Sequence, residues 1–224
     1  MNPVLKRTLT GLAIGAVVIS AVLFAPLKVI KPVVAVLIAL AVMEYAALLY
    51  KKLQCISMAF LAAFLAGSSL IASGLWFLPL TAGDFGNMML LYVIMTVKFS
   101  DVGGFAFGLT SAKLMKGGNH KMCPTISPGT SWEGMFGSIF ASSLVSCSFM
   151  GATGFGLGKS LLIGLAAAVF GTAGDLVESK FKRWVGVKDS STMKITNGMG
   201  GFLDMFDSLV LAPAVIYCLI DCVA

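Results

Sequence analysis

Long apolar runs dominate the chain, and their length restricts what it can fold into. Most are near the roughly 20 residues that a helix needs to cross the hydrocarbon of a bilayer. Hydrophobic residues make up 58% of the 224 positions and charged residues only 12%, with a mean hydropathy of +0.96. We therefore predict an all-α, polytopic integral membrane helix bundle of about seven transmembrane helices, because this composition is too apolar for a soluble globular domain. The predicted runs lie at about residues 8–25, 33–50, 56–78, 88–109, 132–152, 157–179 and 202–223.

The distribution of positive charge predicts the orientation of this bundle. If the N-terminus lies inside, the inside connections carry most of the Lys and Arg residues, including Lys51, Lys52 and Lys182. Cytoplasmic loops of membrane proteins carry such an excess. We therefore expect the polar loops at 110–131 and 180–201 to face the cytoplasm, in the cell inner membrane of a bacterium. Topology and contact with anionic lipid account for the net charge of +6, so we expect no nucleic-acid partner.

Carboxylates in unusual places mark the candidate site. Most of the acidic residues lie in or at the ends of apolar runs, where a charge is costly. Burying several carboxylates requires positive charge from a metal ion or from Lys and Arg. The acidic residues concerned are Glu44, Asp101, Glu133, Asp175, Glu178, Asp204, Asp207 and Asp221; Asp221 is close to the C-terminus and is given no role.

The stretch 174–208 contains two acid pairs with matching spacing. On a helix, Asp175, Glu178 and Lys182 share one face because they are separated by three and four residues. Asp204 and Asp207 repeat the three-residue spacing after a glycine-rich, basic loop. Two acid-bearing helix ends joined by such a loop form a candidate cage for a divalent cation that carries a polyphosphate. The alternative is that the acids cap helix ends and pair with neighbouring Lys and Arg residues.

The remaining acids are less specific signals. Glu133 follows Thr130 by three residues, so a capping box at a helix start is as good an interpretation as a site role. Glu44 is equally balanced between structure and function. Asp101 lies amid three glycines, which would weaken a helix and allow backbone or ligand to approach closely, so a site role is favoured. His120 has no other metal ligand nearby and is interpreted as a loop residue.

Three motifs together resemble one family, the phosphatidate cytidylyltransferases or CDP-diacylglycerol synthases. The first is SDVGGFAFG at 100–108, the second is ISPGTSWEG at 126–134, and the third and most specific is the stretch 174–208. Motif order and spacing are similar to the family's over about residues 98–208, the predicted catalytic motif region. The N-terminal helices, about 1–87, are similar only in character. We expect the whole chain, 1–224, to form a single integral membrane domain.

The resemblance implies a Mg²⁺-dependent enzyme that transfers CMP from CTP to phosphatidic acid, giving CDP-diacylglycerol and pyrophosphate for phospholipid synthesis. CTP, phosphatidic acid and membrane lipid are the implied partners; a second cation such as K⁺ and a homodimer are left open. The resemblance places the metal on Asp175 and Asp204. The implied catalytic residues are Asp175, Asp204, Asp207, Lys182 and Arg183, and the implied substrate-binding residues are Asp101, Ser127, Glu133, Glu178, Ser179, Lys188 and Asp189.

The sequence also departs from the family pattern. The segment NGMGG at 197–201 lacks the family's histidine, Met205 and Phe206 leave no arginine between the two aspartates, and Gly129 and Thr130 replace two lysines. These changes leave open a divergent CTP-dependent enzyme acting on another lipid, or an inactive paralogue. An ion-coupled transporter is the alternative from another class, because carriers also combine intramembrane acids with glycine-broken helices. Against it, the charges here collect at helix ends.

Overall fold

The computed structural model describes residues 18–54, 57–115, 118–187 and 201–222. Helices predominate in these ranges. In chain order the elements are a helical stretch at 18–24 (α1), α2 (Leu27–Leu53), α3 (Met58–Phe85), α4 (Asn87–Leu114), β1 (Lys121–Cys123), β2 (Ser127–Ser131), α5 (Trp132–Ser148), α6 (Met150–Thr153), α7 (Leu157–Val185), α8 (Phe202–Phe206), a 3₁₀ turn (Asp207–Leu209) and α9 (Ala212–Cys222).

The helices confirm the predicted class, an all-α polytopic membrane bundle. Five described segments are long and apolar enough to cross a membrane. The predicted number of seven is not confirmed, because the run at 8–25 lies largely outside the described residues and α5 has only 17 residues. The five segments are Leu27–Leu53, Met58–Phe85, Asn87–Leu114, Leu157–Val185 and Leu203–Cys222.

Two helices that carry predicted motif residues, α4 and α7, continue past the apolar runs that predicted them. α4 passes through Asp101 and its glycines without a break and ends at Leu114, five residues beyond the predicted run. α7 runs to Val185 and ends at Gly186, which has a left-handed backbone with φ of 85°. Glycine is the usual residue at such a helix end because it lacks a Cβ. The predicted motif residues Asp101, Asp175 and Glu178 therefore all lie on regular helix.

The glycines around Asp101 serve helix packing. A Cβ on Gly103 would overlap the backbone of Gly137 and the side chain of Ala141, and one on Gly104 would overlap the side chain of Ser138. α4 and α5 therefore approach closely along small residues, as membrane helices commonly do. The expectation that these glycines let a backbone or a ligand approach closely is confirmed for a backbone, that of α5, which fills the space beside Gly103 and Gly104.

The polar loop at 110–131 contains a short β-hairpin that the sequence did not predict. β1 and β2 pair antiparallel, with Lys121 opposite Ser131 and Cys123 opposite Ser127. The hairpin leads directly into α5. It is attached to α7 by Arg183, whose Nε donates a hydrogen bond to the carbonyl of Ile126 at 3.3 Å.

Contacts between helix ends show which connections share one end of the bundle. The ammonium of Lys52, in the last turn of α2, lies 5.5 Å from the centroid of the Trp184 ring in the last turn of α7. The hairpin joins them through Arg183. We call this the basic end. The side chain of Asn87 donates to the carbonyl of Ala25 at the opposite end. The described parts of the connections after α2, α4 and α7, which were predicted to share a side of the membrane, therefore lie together.

Candidate active site

Five carboxylates converge within the bundle, on α4, α7 and the segment 201–209. Two lysines, Lys98 on α4 and Lys182 on α7, lie among them. We call this group of seven side chains the acidic site. Its carboxylates are Asp101, Asp175, Glu178, Asp204 and Asp207.

Lys182 joins two of these carboxylates. Its Nζ lies 2.6 Å from Oδ1 of Asp204 and 3.3 Å from Oε2 of Glu178. Glu178 and Lys182 are one turn apart on α7, on the shared face that the spacing predicts. The three side chains are only 6–14% exposed. Lys182 therefore ties α7 to the segment 201–209 through a largely buried ion pair.

Asp204 also fixes the start of the short helix α8. Its Oδ2 accepts a hydrogen bond from the backbone N–H of Gly201 at 2.8 Å. The first N–H groups of a helix have no partner inside the helix, and a carboxylate there satisfies one of them and complements the helix dipole. The alternative that the acids cap helix ends and pair with lysines thus describes part of what Asp204 does.

Glu44 reaches the same segment from α2. Its side chain is 1% exposed, and Oε2 accepts a hydrogen bond from the backbone N–H of Leu203 at 2.9 Å. Glu44 therefore helps to position α8. The sequence left its role undecided, because nothing in the spacing shows a contact across 159 residues.

Asp101 lies against the segment from the α4 side. Its Oδ2 accepts hydrogen bonds from Nζ of Lys98 at 3.2 Å and from Oγ of Ser208 at 2.8 Å. Sequence reasoning assigned no role to either partner. Lys98 could have been found from its spacing, because it precedes Asp101 by three residues in an apolar run and so lies on the same helix face.

Asp175 and Asp207 complete the acidic site. Asp175 interacts electrostatically with Asp207, Asp101 and Lys98. The close approach is made at Gly174, where a Cβ would overlap the backbone carbonyl of Asp207. Oδ1 of Asp207 accepts the N–H of Ser208 at 2.6 Å. Oδ1 of Asp175 is buried and has no hydrogen-bond partner among the residues that the structure describes.

The charge of the acidic site favours a cation. Five carboxylates and two ammonium groups carry a net charge of −3 when all are ionised. Buried negative charge of this size requires compensation, and the unpartnered Asp175 oxygen is suited to a metal ion. No set of three His, Cys, Asp or Glu side chains is arranged as a ready-made metal cage within the described ranges. The negative charge and the unpartnered Asp175 oxygen therefore suit a cation in their chemistry, but the described residues do not form a complete cage for one.

The structure does not bring together all the predicted site residues. Oγ of Ser127 hydrogen-bonds with Oγ1 of Thr130 at 2.8 Å inside the hairpin. The predicted capping box of Thr130 and Glu133 is wrong, because Ser131 caps α5 by accepting the N–H of Gly134 at 3.1 Å.

Glu133 instead binds the loop before the hairpin. Its Oε1 lies 2.7 Å from Nδ1 of His120 and also accepts the His120 N–H at 3.1 Å. His120 is thus a loop residue that anchors the hairpin. Ser179 lies half-buried on α7. Lys188 and Asp189 lie outside the described residues.

An apolar cavity of about 170 Å³ lies beside the acidic site, between α2, α3, α7 and the residues 203–211 that precede α9. Two acids, Glu178 and Asp207, contribute to its wall. The other walls are apolar or aromatic and include Tyr45, Ile71 and Val177. A mostly apolar space thus adjoins a highly charged group.

Sequence comparison relates this chain to known proteins. Residues 54–223 match the model of the cytidylyltransferase family. The phosphatidate cytidylyltransferase of Staphylococcus aureus (strain COL) is 41% identical over 127 residues, which cover 56% of this chain and 46% of that protein. The phosphatidate cytidylyltransferase of Staphylococcus haemolyticus (strain JCSC1435) is 38% identical over 142 residues, covering 62% and 51%.

The chain spans about half the length of the curated relatives it matches. The family match covers about three-quarters of this chain and includes every described residue of the acidic site. The chain belongs to the cytidylyltransferase family.

Proposed function

We propose that this protein transfers CMP from CTP to the phosphate of phosphatidic acid, releasing pyrophosphate and CDP-diacylglycerol for phospholipid synthesis. The observation that carries the proposal is the acidic site itself, in which carboxylates from α4, α7 and segment 201–209 meet beside an apolar cavity. A site for this reaction needs cations for a nucleoside triphosphate and an apolar space for a lipid. The names of the relatives support the same activity.

The cofactor in this proposal is Mg²⁺, which Asp175 and Asp204 would hold, with Asp207 in a supporting role. The bound ion supplies positive charge to the phosphate oxygens of CTP and to the departing pyrophosphate. Lys182 holds Asp204 and Glu178 in place, so the structure favours a supporting role for its ammonium. The guanidinium of Arg183 is exposed at the end of α7 and is the better placed group for a triphosphate. A second cation such as K⁺ and a homodimer stay predictions.

In this reaction the protein mainly has to position the reactants. A phosphate oxygen of phosphatidic acid forms the new bond to the α-phosphorus of CTP, while the bond from that phosphorus to the pyrophosphate oxygen breaks. The lipid phosphate is already an anionic nucleophile, so no general base has to activate it. The barrier lies in bringing anions together and in stabilising the charge that develops, which positioned cations do well.

The cavity suits the lipid. Its apolar walls would contact the part of an acyl chain nearest the glycerol. The wall that contains Glu178 and Asp207 would then place the lipid phosphate next to the metal. We further propose that the basic end faces the cytoplasm, where CTP is available in water. The exposed Trp184 ring in the last turn of α7 supports a membrane interface at this end.

The test uses the purified full chain in detergent, with labelled CTP, phosphatidic acid and Mg²⁺. Asp204→Ala should abolish formation of CDP-diacylglycerol while the protein still inserts into membranes. Asp84→Ala is the matched control, because Asp84 accepts a hydrogen bond from Tyr217 at the opposite end of the bundle. Chelation of divalent cations should abolish turnover by the unaltered protein. Unchanged turnover by Asp204→Ala, or a product formed from other lipid phosphates but not from phosphatidic acid, contradicts the proposal.

A further inference from the structure

Lys98 is an unusual residue for its position. It lies eleven residues into α4, about 16 Å along the helix axis at 1.5 Å per residue, within an apolar span. A lysine at this depth is costly unless its charge is paired. Its side chain is about one-third exposed, at 35%, so it is neither free in water nor sealed in the core.

All three donors of the Lys98 ammonium have partners. Nζ donates to Oδ2 of Asp101 at 3.2 Å, to the carbonyl of Met205 at 3.1 Å and to Oγ of Ser208 at 2.8 Å. An ammonium group has only three N–H donors. Lys98 is therefore fully engaged, with one partner on its own helix and two on the segment 201–209.

The Met205 carbonyl explains why this contact is needed. α8 has only five residues, and the last carbonyls of a helix have no partner inside the helix. A lysine ammonium at that end satisfies one of them and complements the helix dipole. Lys98 thus caps the C-terminal end of α8, while Asp204 caps its N-terminal end.

The Ser208 contact connects Lys98 to Asp207. The Ser208 hydroxyl accepts from Lys98 and donates to Asp101 at 2.8 Å, and it is fully buried. The N–H of the same residue donates to Oδ1 of Asp207 at 2.6 Å. The orientation of the Asp207 carboxylate therefore depends on a serine that Lys98 holds.

From these contacts we propose that Lys98 is a positioning residue that also supplies a fixed positive charge to the acidic site. It orients Asp207 through Ser208, and it partly neutralises Asp101, Asp175 and Asp207 before any metal ion binds. The positioning part of this proposal rests on the proposed function. The charge-compensating part does not depend on any substrate.

The charge-compensating part is tested by thermal unfolding, followed by circular dichroism in detergent, with chelator and over a series of Mg²⁺ concentrations. In chelator, Lys98→Met should melt below the unaltered protein. Mg²⁺ should then raise its melting temperature by more than it raises that of the unaltered protein, because the ion replaces the lost charge. Lys98→Arg keeps the charge and should show the unaltered Mg²⁺ response.

Lys159→Met is the matched control. Lys159 also donates to a backbone carbonyl, that of Ile220, and lies over the Phe155 ring, but it is at the opposite end of the bundle. Its variant should show the same Mg²⁺ response as the unaltered protein. An unaltered Mg²⁺ response in Lys98→Met overturns the charge-compensating role. If Lys98→Met does not accumulate, Lys98→Gln is measured in the same way.

The positioning part is tested by kinetics. Lys98→Met should lower kcat by roughly 10- to 100-fold, the usual loss when a residue behind a metal ligand is removed, with KM for CTP little changed. Ser208→Ala removes the hydroxyl through which Lys98 and Asp101 hold Ser208. It keeps the charge of Lys98, so it should lower kcat without altering the Mg²⁺ response. A normal kcat in both variants overturns the positioning role. If the unaltered protein forms no CDP-diacylglycerol, the proposed function fails while the thermal comparison still decides the charge-compensating role.

Discussion

Lys182 offers the sharpest test of how the acidic site is held together. Replacing it by Met keeps an unbranched side chain of similar length and removes only the charge and the hydrogen bonds. The change leaves Glu178 and Asp204 without their shared ammonium partner, in surroundings where their side chains are 6% and 14% exposed. We expect the variant to be strongly destabilised at neutral pH.

The magnitude follows from the distances. At an effective dielectric constant of 20, unit charges 2.6 Å and 3.3 Å apart attract by about 6 and about 5 kcal/mol. Desolvation of the ions offsets much of this attraction. Removing one partner of a buried pair therefore costs about 3–5 kcal/mol, because the remaining charge stays buried. For a protein of this size, that corresponds to a fall in melting temperature of roughly 6 °C or more.

The assay is thermal unfolding in detergent with chelator present, followed by circular dichroism. Lys180→Met is the control, because Lys180 lies on the same helix but is exposed, and it should leave the melting temperature nearly unchanged. In an Asp204→Asn background, Lys182→Met should cost clearly less, since the two residues interact directly. A Lys182→Met protein that melts within about 2 °C of the unaltered one, less than 1 kcal/mol, refutes the reasoning.

Two further predictions concern the packing around segment 201–209. Glu44→Ala leaves the buried N–H of Leu203 unpaired, so it should lower the free energy of unfolding by about 1–3 kcal/mol. Circular dichroism melts measure this loss, and an unchanged melting temperature contradicts the prediction. Gly174→Ala should push the Asp207 carbonyl out of place, with a cost of about 1–3 kcal/mol and reduced turnover. Gly158 lies on the same helix but faces open space, so Gly158→Ala should change neither the stability nor the turnover. Equal effects of the two alanine variants would contradict the close packing of Gly174 against Asp207.

Much of the fold could be predicted because it follows from local sequence. The length of an apolar run is enough to predict a membrane helix, and α2, α3, α4 and α7 all formed where such runs were drawn. The pairing of Glu178 with Lys182 was also local, since both lie one turn apart on α7. Where the prediction failed locally, as at the Thr130–Glu133 capping box, a neighbouring serine supplied the same chemistry.

The contacts across the acidic site could not be predicted in this way. Lys98 and Ser208 are 110 residues apart, and Glu44 and Leu203 are 159 apart. Their meeting depends on which helices are neighbours, and the periodicity of one helix does not contain that information. The glycines beside Asp101 show the same limit. Their sequence indicated a close approach correctly, but only the structure shows that α5 makes it.

Two aspartates of the acidic site, Asp204 and Asp207, lie on short elements that are not stable on their own. A five-residue helix has no stability of its own, because nucleating a helix is unfavourable and so few residues cannot offset it. α8 and the 3₁₀ turn after it therefore depend on other helices for their geometry. Charged side chains from three of them bind different points of this segment. Glu44 of α2 accepts the Leu203 N–H, Lys182 of α7 binds Asp204, and Lys98 of α4 binds Met205 and Ser208.

Each of these side chains is a charge placed within a membrane span. Because such charges are costly unless paired, any rearrangement that separates them from segment 201–209 leaves a charged side chain without one of its partners, and a charged or polar group of the segment unpaired. The cost of that separation fixes Asp204 and Asp207 relative to Asp101 and Asp175 more firmly than apolar packing alone would. A site whose work is to place anions and cations accurately gains from this arrangement, since the charges that hold Asp204 and Asp207 in position also set the electrostatic field in which a nucleotide would bind.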